Sequence, residues 1–82
     1  MERIGVVAII VSDRGSVPAV QEVLSSHAQI IVGRMGIPDR QTAKNIIALI
    51  VKGQVDEISA LTGALGRIQN VSAKSVLTAT DK

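Results

Sequence analysis

Two spacings of apolar residues alternate along the first half of the chain. Residues 4–11 form an unbroken apolar run rich in valine and isoleucine, which predicts a strand that is apolar on both faces. From Ser16 to Ala28 the apolar positions recur every three or four residues, the spacing of an amphipathic helix. Residues 29–37 return to a β-branched pattern and predict a second strand, which contains two glycines.

The second half of the chain repeats this order. Residues 38–44 are polar and predict a hairpin loop, and the apolar run at 45–52 predicts a third strand. Apolar residues at helical spacing follow from Val55 to Ile68, with acidic residues near the start, where the helix dipole favours them. Residues 70–80 alternate in part and predict a final strand.

The predicted order is β-α-β-β-α-β, which is the ferredoxin-like arrangement of an α+β protein. Right-handed crossovers then place both helices on one face of a four-stranded antiparallel sheet. A chain of 82 residues has room for one domain, so we predict a single domain over residues 1–82.

The far face of this predicted sheet is unusually apolar. The strands at 4–11 and 45–52 are apolar at both parities, whereas a sheet with one solvated face should alternate. Either a second subunit covers the far face or pairs across a strand edge, or central strands tolerate extra valine and isoleucine because of their β propensity. We favour the first alternative and predict a homo-oligomer, either a dimer or a tetramer.

Composition excludes several classes of function. There is no cysteine and only one histidine, so neither a thiolate metal site nor a multi-histidine site can form within one chain. There is no aromatic residue on which bases could stack, and the net charge of +2 is scattered, which argues against direct nucleic-acid binding. The apolar runs are too short to span a membrane. We expect a cytoplasmic protein without a metal or cofactor, and no nucleophile or carboxylate pair indicates an enzyme.

The turn before the first helix is the first candidate site. Asp13, Arg14, Gly15 and Ser16 lie where free backbone N–H groups and the positive end of the helix dipole can hold an anion. Gly15 permits positive φ and close approach of a ligand, and the Ser16 hydroxyl is predicted to accept from the N–H of Ala19 as a helix cap. The alternative is that these residues only form the corner between strand and helix.

Arg34 is the second candidate, because it lies among apolar residues and glycines in the second predicted strand. Its guanidinium either binds the carboxylate of a ligand or pairs with an acidic residue of a neighbouring chain, with the aliphatic part of the side chain packed at an interface. His27 ends the first predicted helix and suits a capping role better than a ligand role.

Several segments resemble known families. Residues 12–24 (SDRGSVPAVQEVL) are similar to the strand–turn–helix opening of ACT-type regulatory domains. Residues 30–38 (IIVGRMGIP) and 58–67 (ISALTGALGR) resemble the stand-alone iron-only hydrogenase system regulators, and that resemblance extends over residues 3–79. The fold is also similar to the sensor domain of nickel-responsive regulators, although this sequence lacks their His and Cys nickel ligands and shows no ribbon–helix–helix segment.

The resemblance implies an ACT-like, non-enzymatic regulatory or ligand-sensing domain that is linked to the iron-only hydrogenase system and acts as a homo-oligomer. It assigns a small anionic ligand, such as an amino acid, to the turn from Asp13 to Ser16, with Arg34 contributed by a nearby strand or a neighbouring subunit. The alternative is a protein-docking module for a hydrogenase maturation or regulatory partner, with no small-molecule ligand.

Overall fold

Four strands and two helices build the protein, as seen in a computed structural model that describes residues 2–79. In chain order they are β1 (Glu2–Val11), α1 (Val17–Ser26), β2 (Ile31–Asp39), β3 (Lys44–Gln54), α2 (Val55–Gly66) and β4 (Val71–Ala79). The sheet has the strand order β2-β3-β1-β4, and all neighbouring strands are antiparallel. The predicted α+β, ferredoxin-like and ACT-like arrangement is therefore confirmed.

The core lies between the helices and one face of the sheet. In β1 and β3 every second residue is buried, and the register pairs Val7 with Leu49 and Ile9 with Ile47 across the two central strands. Each helix contributes one apolar stripe at helical spacing, as the sequence predicts. The buried residues of the two stripes are Val20 and Leu24 of α1 and Ile58, Leu61 and Leu65 of α2.

Strand boundaries differ from the prediction at two places. The segment Ala28–Ile30 forms a 3-10 turn, so β2 begins at Ile31 rather than at residue 29. β2 then continues through Pro38 and Asp39, which shortens the hairpin loop to residues 40–43. β2 is an edge strand, which is the place in a sheet where proline is tolerated, because half of the N–H groups there have no strand to pair with.

β3 also runs past its predicted end, through Gly53 to Gln54. A methyl group at Gly53 would lie 2.9 Å from Cγ2 of Ile30 and 3.0 Å from Oε1 of Glu57. That oxygen accepts a hydrogen bond from the N–H of Gln54 at 2.8 Å and so secures the start of α2. Gly53 thus allows close packing rather than ending the strand. Thr80, the last residue of the fourth predicted strand, lies outside the described residues.

The face of the sheet opposite the helices, which we call the open face, has no covering element among the described residues. Seven large apolar side chains on it are between 39% and 69% exposed: Ile4, Val6, Met35, Ile37, Ile46, Ile50 and Val76. The apolar character at both parities of β1 and β3 is therefore a property of the folded surface. Within residues 2–79, no helix is long and apolar enough to cross a membrane.

Candidate ligand-binding cleft

The turn between β1 and α1 uses its own backbone donors. The carboxylate of Asp13 accepts from the N–H of Gly15 at 3.4 Å, and the carbonyl of Asp13 accepts from the N–H of Ser16 at 3.0 Å. The N–H of Val17 donates to the carbonyl of Arg14. The N–H groups of Gly15, Ser16 and Val17, which were candidates for holding an anion, therefore already have partners within the turn.

Ser16 has a different role from the predicted helix cap. Its hydroxyl donates to the carbonyl of Gln69 at 2.7 Å and makes no capping bond to α1, so the predicted bond to the N–H of Ala19 is wrong. The N–H of Ser12 reaches the same connection between α2 and β4, donating to the carbonyl of Asn70 at 2.8 Å. These bonds attach the turn to a distant segment. Gly15 has no positive φ, so the conformational freedom predicted for it is not used.

A cleft of about 190 Å³ lies between α1 and the ends of β1, β2 and β3. Val11, Val20 and Ile47 form its apolar floor, and all three are buried. Gly36 lines the cleft from β2, in register with Ile47, and a methyl group there would meet only Cγ1 of Ile47, at 3.9 Å, within 4 Å. The cleft is therefore open partly because residue 36 has no side chain.

Three polar side chains line the same cleft: Gln21 of α1, Arg34 of β2 and Asn45 of β3. Nη2 of Arg34 donates to Oε1 of Gln21 at 2.9 Å, which joins the edge strand to the helix. Arg34 is exposed and makes no ion pair with any carboxylate of residues 2–79. The arrangement is an apolar recess with one cation and two amides, which is typical of a small-molecule site.

A second depression, of about 230 Å³, adjoins the cleft and shares Pro38 and Asn45 with it. Its lining includes three cations, Arg14, Arg40 and Lys44, and none of them forms an ion pair within the described part of the chain. We call this surface the basic depression. Its charges raise the positive potential around the cleft.

One acid, Asp39, lines the basic depression, and its carboxylate is already engaged. Oδ2 accepts from the hydroxyl of Thr42 at 2.6 Å, and Oδ1 accepts from the N–H of Gln41 at 3.3 Å. These bonds stabilise the hairpin loop between β2 and β3. Asp39 is therefore a structural residue of the loop.

The remaining candidate from the sequence is His27. Nδ1 of His27 donates to the carbonyl of Val23 at 2.9 Å at the end of α1, which agrees with the predicted capping role. Among residues 2–79 there is no group of three His, Cys, Asp or Glu side chains that could hold a metal ion.

Of the five predicted ligand contacts, two line the depressions: Arg34 lines the cleft and Arg14 the basic depression. Asp13, Gly15 and Ser16 form the neighbouring turn. The sequence analysis missed Gln21 and Asn45, because amides on the polar side of a helix and at the start of a strand carry no signal of their own. It noted Gly36 only as one of the two glycines in the second predicted strand.

A known protein family matches most of the sequence. The family model TM1266-like, described as "Iron-only hydrogenase system regulator, putative", matches residues 3–75. The chain belongs to the TM1266-like family. Its fold is similar to that of the uncharacterized protein TM1266 from Thermotoga maritima, with 32% identity, a TM-score of 0.91, and 96% of this chain and 100% of that chain covered. The resemblance found in the sequence is thus confirmed.

More distant structures share only the fold with this TM1266-like chain. A formyltetrahydrofolate deformylase from Pseudomonas putida KT2440 matches with a TM-score of 0.56 and 18% identity, over 98% of this chain and 29% of that one. The de novo designed protein Foldit4 matches with a TM-score of 0.57 and 9% identity, over 98% and 99% of the two chains. A search of curated proteins finds no match.

Proposed function

We propose that this TM1266-like chain is a non-enzymatic, ACT-like regulatory domain of the iron-only hydrogenase system that senses a small anionic ligand and acts as a homo-oligomer. The observation that carries the proposal is the cleft, where an apolar floor meets the cation Arg34 beside the basic depression. Such a site can bind and orient an anion. No nucleophile or proton-transfer pair stands among its lining residues, so we assign binding and not catalysis to it.

The open face supports the oligomer. Its middle consists of three residue pairs on the central strands, of which the central pair is small: Val6–Ile50, Ala8–Ala48 and Ile10–Ile46. The larger residues on either side make two ridges with a trough between them, which a copy related by a two-fold axis can fill. Lys52 and Lys74 lie towards the margin, so the face has the apolar centre and polar rim of a protein interface.

The apolar side chains of the open face provide a driving force for association that is comparable in size to its cost. Complete burial of a valine or isoleucine side chain stabilises by roughly 1.5–3 kcal/mol, so covering a half-exposed one contributes about 1 kcal/mol. The seven exposed side chains of the open face on each of two copies then give roughly 14 kcal/mol, against an association cost of about 4–15 kcal/mol. A second copy is the partner that supplies this apolar area without any further component.

The oligomer is tested by light scattering of a matched pair of variants at micromolar concentration. Val6→Glu places a carboxylate in the centre of the open face, whereas Val55→Glu places one at a similarly exposed position in the first turn of α2, where the helix dipole favours it. We expect Val6→Glu to lower the mass to that of one chain, 8.6 kDa, and Val55→Glu to leave the assembly intact. A wild-type mass of 8.6 kDa would contradict the proposal.

Ligand sensing is tested by native mass spectrometry of the protein purified from its own host. We expect subunits carrying a small molecule that is lost on unfolding.

A second candidate function, docking to a hydrogenase maturation or regulatory protein, is favoured by the same open face. A stoichiometric foreign protein in place of a small molecule would support docking over sensing. The cytoplasmic location stays a prediction.

A further inference from the structure

We propose that the cleft binds a short, branched aliphatic carboxylate that has no ammonium group, such as a fatty acid or 2-oxo acid of about four to six carbons. This inference rests on the proposed sensing function and specifies its ligand. It differs from the expectation of an amino acid, because the cleft provides for a carboxylate and for an apolar body but not for an ammonium group.

The volume of the cleft sets the size of the part of a ligand that it can enclose. An apolar cavity of about 150 Å³ is known to hold benzene, so a cleft of about 190 Å³ accommodates roughly seven or eight non-hydrogen atoms. The apolar lining of the cleft consists of branched aliphatic residues, the half-buried Val17 and the buried Val11, Val20 and Ile47. A compact, branched chain therefore fits better than a long or a planar one.

Arg34 supplies the partner for the carboxylate. A guanidinium carries several N–H donors in a planar fork that matches two carboxylate oxygens. Within the described residues Arg34 forms one side-chain hydrogen bond, from Nη2 to Gln21, which leaves its other N–H groups for a ligand. The bond to Gln21 ties the guanidinium to α1 at the wall of the cleft, so less side-chain freedom is lost on binding.

An ammonium group would find no counter-charge in the cleft. No aspartate or glutamate is among its lining residues, and its one charged side chain is Arg34. In the adjoining basic depression the carboxylate of Asp39 accepts hydrogen bonds from Thr42 and Gln41. Three further cations line the same depression. A cation that enters this field meets repulsion, whereas an anion is attracted. For an amino acid, the repulsion of the ammonium group thus offsets the attraction of the carboxylate.

The ligand class is tested by isothermal titration calorimetry of the whole protein with four compounds of similar shape. These are isovalerate, 3-methyl-2-oxobutanoate, valine and the neutral amide of isovalerate. We expect both carboxylates to bind at least about tenfold more tightly than valine and the amide, because only they pair with Arg34 without bringing a second cation beside it. Tighter binding of valine would overturn the ligand class but leave the sensing function standing.

Two variants test whether the ligand occupies this cleft. Arg34→Gln should weaken isovalerate binding by roughly ten- to a hundredfold, whereas Arg67→Gln, which removes an exposed arginine from the end of α2, should not change it. Gly36→Val should abolish binding by filling the cleft while the protein stays folded by circular dichroism. Unchanged affinity in Arg34→Gln or Gly36→Val would overturn the proposal. So would failure of both carboxylates to bind the wild-type protein, even if native mass spectrometry shows another retained molecule.

Discussion

Two glycines on the helix-facing side of the sheet, Gly5 in β1 and Gly36 in β2, should respond oppositely to alanine substitution. Gly5 is buried in β1 and lies in register with Leu77 of β4. A methyl group there would overlap Cδ2 of Leu77 and lie 2.7 Å from the backbone oxygen of Val76. The leucine side chain can move, but the oxygen belongs to the backbone of a paired strand and cannot move without disturbing the ladder.

The size of the difference follows from these distances. Overpacking of a closed core costs about 1–3 kcal/mol, and the reduced freedom of the unfolded chain returns roughly 0.4–1 kcal/mol, so Gly5→Ala should lose about 1–2 kcal/mol. At Gly36 the added methyl group meets only Cγ1 of Ile47, at the ordinary contact distance of 3.9 Å. Gly36→Ala should therefore gain about 0.5–1 kcal/mol.

The assay is urea denaturation followed by far-ultraviolet circular dichroism, because the chain has no aromatic residue to report by fluorescence. With an m-value of about 1 kcal/mol/M, the midpoint of Gly5→Ala should fall by roughly 1–2 M and that of Gly36→Ala should rise by up to about 1 M. All samples are compared at one protein concentration, since association would also shift the midpoint. Equal midpoints for the two variants would refute the packing argument.

Two further substitutions test single features of the fold. Ser16→Ala removes the bond to the carbonyl of Gln69 and should lower the free energy of unfolding by about 1 kcal/mol. The measurement is thermal denaturation, with Ser25→Ala on the exposed side of α1 as the control. No change in Ser16→Ala would mean that this bond does not hold the turn. Gly63 lies at an exposed position of α2, and a methyl group added there would meet no neighbouring side chain or strand within 4 Å. Gly63→Ala should therefore raise the free energy of unfolding by up to about 1 kcal/mol. A lower denaturant midpoint would indicate a close neighbour at that surface.

The spacing of apolar residues along the chain is enough to predict the helices and strands and their buried faces. The apolar runs around Val7 and Leu49 and the helical stripes ending near Leu24 and Leu65 predict the strands and helices that form. Each pattern records which side of an element must leave water, and that requirement depends only on spacing along the chain. The apolar residues at the alternate positions of β1 and β3 likewise predict the open face.

The candidate ligand-binding cleft depends on tertiary contacts that no local pattern encodes. Arg34 meets Gln21 and Ser16 meets the carbonyl of Gln69, 53 residues away, because the fold brings α1 beside β2 and beside the connection after α2. The cleft at Gly36 likewise exists only where three strand ends and one helix converge. Periodicity shows that a residue must be buried or solvated, but the partner of a polar side chain depends on which distant segments the topology places within hydrogen-bond reach.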